Sequence, residues 1–200
     1  PCLCLDLDAL EANITHMQET VSRNGIASRP HAKTHKCPTL AKKQLQTGSV
    51  GICAAKVSEA EVMFKHGIRP ILMTTTNVTA TKIKRAMALR EANPEFIQAT
   101  DSEQNARLLS EAAGAMGLTA DVVIDVDPGG HRTGITPGQP ALALAQLIDQ
   151  LPGLRLRGLL CYDGGSQHVK GFAVRRQQTL ERLVAATDTF DCLLYTSDAA

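Results

Sequence analysis

Two hundred residues with 44% hydrophobic content are enough for one buried core, so a single globular domain is the default expectation. A net charge of +1, without a long basic run, gives no electrostatic ground for a nucleic-acid partner. No apolar stretch approaches the roughly 20 residues that cross a bilayer, so no membrane partner is expected.

The cysteines are Cys2, Cys4, Cys37, Cys53, Cys161 and Cys192. None forms a C-x-x-C pair, and their spacing is irregular for a disulfide framework. A reducing, cytoplasmic setting fits them best. No signal-peptide pattern is present, although the chain begins at Pro1 rather than at a methionine.

In chain order, Asp8 with Glu11 predicts a capped helix, with Leu10, Ile14, Met17 and Val21 on one face. After Gly25 strands and helices alternate. The strands expected are Ile26–Lys33, Val50–Ala55, Pro70–Thr75, Glu95–Thr100, Asp121–Asp127 and Leu154–Asp163. Helices fill the gaps between them. One starts at Pro38 and stops at Gly48. Another starts at Ser58 with Glu61 and stops at Gly67, where His66 sits favourably against the helix dipole. A third starts at Asp101 with Gln104, with Leu108, Leu109, Ala112, Ala113 and Met116 as its apolar side. Two more run from about Gln139 to Asp149 and from about Lys170 to Thr187.

Six strands, each followed by a helix, require parallel pairing with right-handed crossovers. A doubly wound open sheet and a (β/α)8 barrel both satisfy this. No G-x-G-x-x-G or G-x-x-x-x-G-K-[ST] motif follows any strand, which disfavours the nucleotide-binding sheet. The polar clusters stand at the C-terminal ends of the first, fifth and sixth strands, on the rim where a barrel places its site. The fold class expected is therefore an α/β barrel of the TIM type, truncated after about six strands.

Three clusters could do chemistry. In RPHAKTHK, an extended strand would put Arg29, His31, Lys33 and His35 on one side. Such a row is either a solvated strand end or a group neutralised by something anionic, since burying it unpaired is expensive. In DVDPGGHRTG, Arg132 projects beyond Gly129–Gly130. It either donates to an oxyanion or pairs with Asp125 or Asp127 in a structural loop. In YDGGSQHV, Tyr162 would share a strand face with Leu156, Gly158 and Leu160. His168 follows on a loop, as a surface residue or as a base near neutral pH.

Together the stretches PCLCLDLDALEANI, RPHAKTHKCP, GICAAKVSEAEVM, DVDPGGHRTGI and GLLCYDGGSQHV resemble the D-threonine aldolase and D-serine dehydratase family. These are pyridoxal 5′-phosphate (PLP) enzymes of fold type III, with a barrel like the alanine racemase N-terminal domain. The resemblance implies that Lys33 is the Schiff-base lysine, that Arg132 faces the PLP phenolate oxygen and that Tyr162 lies against the pyridine ring. It also implies that His168, with Lys33, is catalytic, standing near the substrate β-hydroxyl. The family's divalent-metal ligands and phosphate-binding loops lie further towards the C-terminus, so no metal ligand is expected in this chain.

The activity implied is a PLP-dependent lyase on D-β-hydroxy amino acids, a retro-aldol cleavage to glycine and an aldehyde. Dehydration of D-serine or 3-hydroxy-D-aspartate is the alternative. A non-catalytic PLP carrier and an amino-acid racemase are further ones. The partner expected is a small D-amino acid, and a homodimer is open to the full-length protein. Residues 1–191 would be an incomplete barrel domain lacking a C-terminal β domain, inactive and poorly folded alone because its sheet edges are unclosed. Residues 192–200, CLLYTSDAA, back-translate with one codon choice to the end of a transposase-type sequencing adapter, and are expected to be a library artefact.

Overall fold

A computed structural model describes Cys2 and residues 4–197 of the chain. Asp6, rather than Asp8, caps α1 (Leu7–Arg23): its backbone is extended and its carboxylate accepts from the Ala9 amide at 2.9 Å. Asp8 falls inside the first turn, where its charge still favours the helix N-terminus. Of the expected apolar face, Leu10, Ile14 and Val21 are half-buried and Met17 is exposed.

The chain divides into two units. The first holds the described residues up to Met73 together with Asn93–Phe96; the second holds Thr74–Ala92 and the described residues from Ile97 on. In the first unit α2 (Pro38–Gln46) has Pro38 at its start, as expected, and an ion pair from Lys43 to Glu11 at 2.5 Å ties it to α1. β1 (Ile52–Ala54) pairs in parallel with β2 (Ile71–Met73). α3 (Val57–Lys65) separates them, beginning at Lys56 without a side-chain cap, so Ser58 lies within the helix. His66 stands at its C-terminus, with Nδ1 2.8 Å from the Val62 carbonyl.

The strand expected at Ile26–Lys33 is reduced to one parallel bridge, His31 beside Cys53. Hydrogen bonds from Val50 N to Ser28 O, Cys53 N to Pro30 O and Ala32 N to Cys53 O, all 2.8–2.9 Å, hold this segment to β1. Pro30 has no N–H to extend the ladder, and the chain turns after Ala32.

The second unit contains α4 (Ala80–Ala92), all but the first residue of β3 (Phe96–Thr100), α5 (Glu103–Ala115) and β4 (Ala120–Val126). α6 (Gln139–Gln150), β5 (Leu154–Cys161), a short 3₁₀ turn (Ser166–His168) and α7 (Phe172–Ser197) come after them. The tail expected to be an artefact continues α7 as far as Ser197, and Asp198, Ala199 and Ala200 lie outside the described residues, as do Pro1 and Leu3. β3, β4 and β5 pair side by side, in parallel and in chain order. Within neither unit does the order reverse, as a doubly wound sheet would require.

α5 is capped by Ser102, one residue after the expected Asp101, through a 3.4 Å bond from the Asn105 amide. Its buried side is Asn105, Ala106, Leu109, Ser110 and Ala113, while Leu108 is exposed. Two polar residues join this side because each has a partner. Asn105 Nδ2 donates to Asn77 O at 2.7 Å and Ser110 Oγ to Pro152 O at 2.7 Å.

β4, ADVVIDV, is buried on both faces along its whole length, as a parallel strand with helices packed against its sheet must be. Asp121, at its start, is answered by two arginines. Arg155 Nε and Nη2 reach it at 2.7 and 3.0 Å, and buried Arg90 reaches it at 3.3 Å. Arg90 Nε also donates to Thr119 O at 2.9 Å. Replacing Asp121 by alanine strands the Arg90 cation in the core. The expected loss is about 3–5 kcal/mol, read as a lower urea midpoint at unchanged slope in the full-length protein.

Candidate active site

The first group of residues surrounds Lys33, in the first unit. Beyond the His31 bridge the chain does not stay extended: Thr34 N reaches His31 O at 3.5 Å and Lys36 N reaches Ala32 O at 2.7 Å, and Lys36 has φ +50°. The alternation expected through His35 therefore stops at His31. Lys33 is exposed on a turn, Ala32 is buried beneath it, and His31 and His35 are half-buried.

His35 Nδ1 accepts from the Cys37 amide at 3.0 Å, so a neutral ring carries its proton on Nε2. That nitrogen is buried without a protein partner, and so is Arg29 Nη1. The Arg29 guanidinium lies on Gly51, where a Cβ would come within 2.5 Å of Nη1 and 2.7 Å of Pro70 O. Only glycine admits this approach.

Burial pushes the His31 imidazole below its ordinary value, and the charge of Lys33 adds to this while Glu59 opposes it. Burial pushes the Cys53 thiol up to about 11, against the pull of Arg29 and Lys33. Glu59 is already engaged by the Ala55 amide at 3.0 Å and by Lys36 at 3.9 Å. The segment thus combines two buried donors without a protein partner and an exposed lysine.

The second group stands in the second unit, on the loops after β4 and β5. After β4, the Asp127 carboxylate accepts from the amides of Gly129 at 2.9 Å and His131 at 3.0 Å, and lies 3.0 Å from His131 Nδ1. Burial works against its ionisation, but these bonds and the charge of His131 outweigh it and hold the carboxyl below the usual range. Asp127 N donates to Ile135 O and Ile135 N to Asp125 O, both at 2.9 Å, closing the loop at its neck. Gly134 sits in that neck with φ +97°, and a Cβ there would meet Asp127 N at 2.6 Å.

Arg132 is exposed on this loop, and its charge is felt by Asp125. Burial raises Asp125 above the ordinary range, a hydrogen bond from Thr133 opposing it and Asp101 adding to it. Asp127 is taken up by backbone amides and His131, which leaves the Arg132 guanidinium outward on the loop.

After β5 the expected face is broken by a bulge. Val122 pairs with Leu156 but Ile124 with Leu159, so β5 carries one extra residue. Side chains beyond it change sides: Leu159 and Cys161 continue the Leu156 face, while Leu160 takes the side of Asp125. Tyr162 therefore does not share a face with Leu156. It lies past the strand end, 54% exposed, with its ring over Gly164, where a Cβ would be 2.8 Å from Cε1.

Asp163 is the buried group of this loop. It accepts from Gly165 N at 3.1 Å, from Ser166 Oγ through a short bond, and from Arg182 Nη1 at 2.9 Å. His168 ends the 3₁₀ turn, exposed, with its amide on Gly165 O at 3.1 Å. Tyr162 and His168 are thus brought onto one loop, Arg132 onto the preceding one, and Lys33 belongs to the first unit.

Asp163 was missed at sequence level, while Arg29 was named there only as one of a cationic row and Asp127 only as a possible partner of Arg132. The two aspartates did carry a signal, since each stands just before a glycine pair, a turn-forming arrangement. Among the described residues no three His, Cys, Asp or Glu side chains converge to hold a metal ion, and no helix is long and apolar enough to cross a membrane.

Similarity to known proteins covers all of these segments. A family profile described as "Alanine racemase, N-terminal domain" matches residues 5–197. A 3-hydroxy-D-aspartate aldolase of Paracoccus denitrificans is 34% identical over 96% of this chain and 50% of its own length. A D-threonine aldolase of an Arthrobacter species is 38% identical over 85% of this chain and 45% of its own. A D-threo-3-hydroxyaspartate dehydratase of a Delftia species is 31% identical over 83% and 44%. The crystal structure of D-threonine aldolase from Filomicrobium marinum superimposes with a TM-score of 0.91 at 39% identity, covering 94% of this chain and 51% of that one. The chain spans about half the length of the relatives it matches.

Two measurements check the electrostatics. At pH 7.5 Cys53 carries about a hundredfold less thiolate than an ordinary cysteine, so it should resist iodoacetamide. Cys37, whose thiol is lowered first by the Leu40 amide, should alkylate readily, as peptide mapping would show. Asp163 is held below the usual range, its donors outweighing burial, so its contribution is present above about pH 4 and lost as pH falls through its folded value. Melting temperatures of wild type and Asp163→Asn should differ by a constant amount from about pH 5 to 7 and converge in stronger acid.

Proposed function

Because the chain belongs to the alanine racemase N-terminal domain family, we propose that it forms part of a PLP-dependent lyase acting on D-β-hydroxy amino acids. The preferred reaction is D-threonine aldolase-like cleavage to glycine and an aldehyde. The observation that carries this reading is the setting of Lys33: it is exposed on the turn of a segment in which Arg29 Nη1 and His35 Nε2 are buried without a protein partner. An exposed amine in a segment that also carries the Arg29 cation suits an anionic group bearing an aldehyde, and PLP is both. Bound there, it would supply an electron sink for charge developing at the substrate Cα.

The roles proposed for the side chains are those that the family resemblance implies, and their chemistry suits them. Lys33 is the amine that would hold the cofactor's carbonyl carbon. Arg132, permanently charged and exposed, would donate to the phenolate oxygen. The Tyr162 ring, uncovered beyond the strand end, would lie against the pyridine ring. His168 would take the proton from the substrate β-hydroxyl, an imidazole being suited to that step near neutral pH. The family's divalent metal has no set of donors among the described residues, so none of them is assigned to it. The irregular spacing of the cysteines suits the cytoplasmic setting proposed for the chain. We further propose a homodimer, to be checked by sedimentation of the full-length protein.

Dehydration of D-serine or 3-hydroxy-D-aspartate is the second reading, favoured by the similarity to the Delftia dehydratase. The full-length protein, reconstituted with PLP, should release acetaldehyde from D-threonine; ammonia from D-serine instead would move the assignment to the dehydratase. Borohydride reduction and digestion should place the label on Lys33, and Lys33→Ala should abolish both label and visible absorption. Arg132→Gln should weaken cofactor binding by about 1.5–3 kcal/mol, as loss of a charged hydrogen bond does. Label on another lysine would overturn the reading.

A further inference from the structure

We propose that Asp163 is a positioning residue whose carboxylate fixes the loop after β5 and thereby sets where the His168 imidazole stands. The proposal rests on the reading of His168 as the base at the substrate β-hydroxyl.

Asp163 follows the end of β5 by two residues, and its side chain is only 7% exposed. Three donors converge on it. Gly165 N and Ser166 Oγ come from the loop itself, and Arg182 Nη1 comes from α7. Ser166 Oγ also lies 2.6 Å from Thr179 Oγ1, one helical turn before Arg182, so the loop meets α7 at two points on one face. Gly165 lies directly against the guanidinium, where a Cβ would come within 2.5 Å of Nη1. The 3₁₀ turn that ends at His168 begins with Ser166, one of the residues bonded to Asp163.

His168 is exposed, so burial does not hold it in place. The carboxylate is where the loop's own donors and the α7 arginine meet. The donors around Asp163 outweigh its burial and keep it ionised across the neutral range, so the anchor stays in place where the base must work. A side chain that only stabilised the fold would be expected to act on the melting temperature alone. One that sets the place of a base should act on turnover, since misplacement by about 1 Å can reduce a rate by about a hundredfold.

The test uses the full-length protein carrying Asp163→Asn, which keeps the shape and removes the charge, and Arg182→Gln, which removes the α7 donor. Without cofactor, amide exchange in peptides covering residues 162–171 should rise about tenfold in both variants, with β4 unchanged. With PLP and D-threonine, Asp163→Asn should lower kcat by about 10–100-fold at unchanged KM and cofactor content. In a His168→Ala background the same substitution should cause no further loss. Asp163→Glu should recover part of the rate.

Loop exchange at the wild-type rate in both variants overturns the proposal. So does an equal loss of kcat from Asp163→Asn with or without His168. Wild-type turnover by His168→Ala removes the reading of His168 and the proposal with it, whereas impaired His168→Ala beside unimpaired Asp163→Asn removes the proposal alone. Should Asp163→Asn fail to fold, Arg182→Gln carries both arms.

Discussion

A strand buried on both faces can hold a charge only where something answers it, and β4 holds two aspartates four residues apart on one face. At its start Asp121 is answered within the protein, by Arg155 across the strand pair and by Arg90 from α4. At its far end Asp125 is answered only in part, by Thr133 and by the charge of Arg132, and burial keeps its carboxyl above the ordinary range. The same constraint thus separates a closed structural end from an end whose polar groups look outward. In barrels of parallel strands the C-terminal rim is where function collects, and the imbalance in β4 is a physical form of that rule.

The segment around Lys33 has the opposite imbalance. Arg29 is drawn in over Gly51, His35 is fixed in one tautomer by the Cys37 amide, and both keep a buried nitrogen without a protein acceptor. Glu59 is engaged by the Ala55 amide and Lys36. Leaving donors unanswered is unfavourable for the empty protein, by about 1–3 kcal/mol for each buried group. On the reading proposed for Lys33, a bound anion would offset that cost.

Most of the frame was legible in the sequence because it rests on local rules. Pro38 opens α2, Gly67 ends α3, and Asp121–Asp127 reads as a strand, which the structure places at Ala120–Val126. The parts that were not legible turn on single residues of tertiary origin. Asp6 and Ser102 cap their helices in place of neighbouring aspartates, because a cap needs an extended backbone as well as an oxygen. The first strand shrinks to a bridge because Pro30 cannot donate and Lys36 N bonds back to Ala32. The extra residue between Leu156 and Leu159 turns Leu160 to the other face, and nothing in LRLRGLLC beyond its glycine marks that bulge. Lys33, Arg132, Tyr162 and His168 were legible as chemistry by their motifs, but the hydrogen bonds by which Asp127 and Asp163 shape two of their loops were not.

Those carboxylates repeat one solution on adjacent strands. Asp127 precedes Gly129–Gly130 and stands five residues before Arg132; Asp163 precedes Gly164–Gly165 and stands five residues before His168. In each loop the aspartate gathers amides of the residues after the turn, so the backbone is fixed without an apolar side chain being buried. Exposed functional groups need such a device, because a packed loop would hide them and a loose loop would scatter them. The glycines make room for it, and the ionised carboxylate supplies hydrogen bonds stronger than a neutral acceptor could. Precision at this rim therefore comes from charge gathered inside the loops rather than from burial of Arg132 or His168.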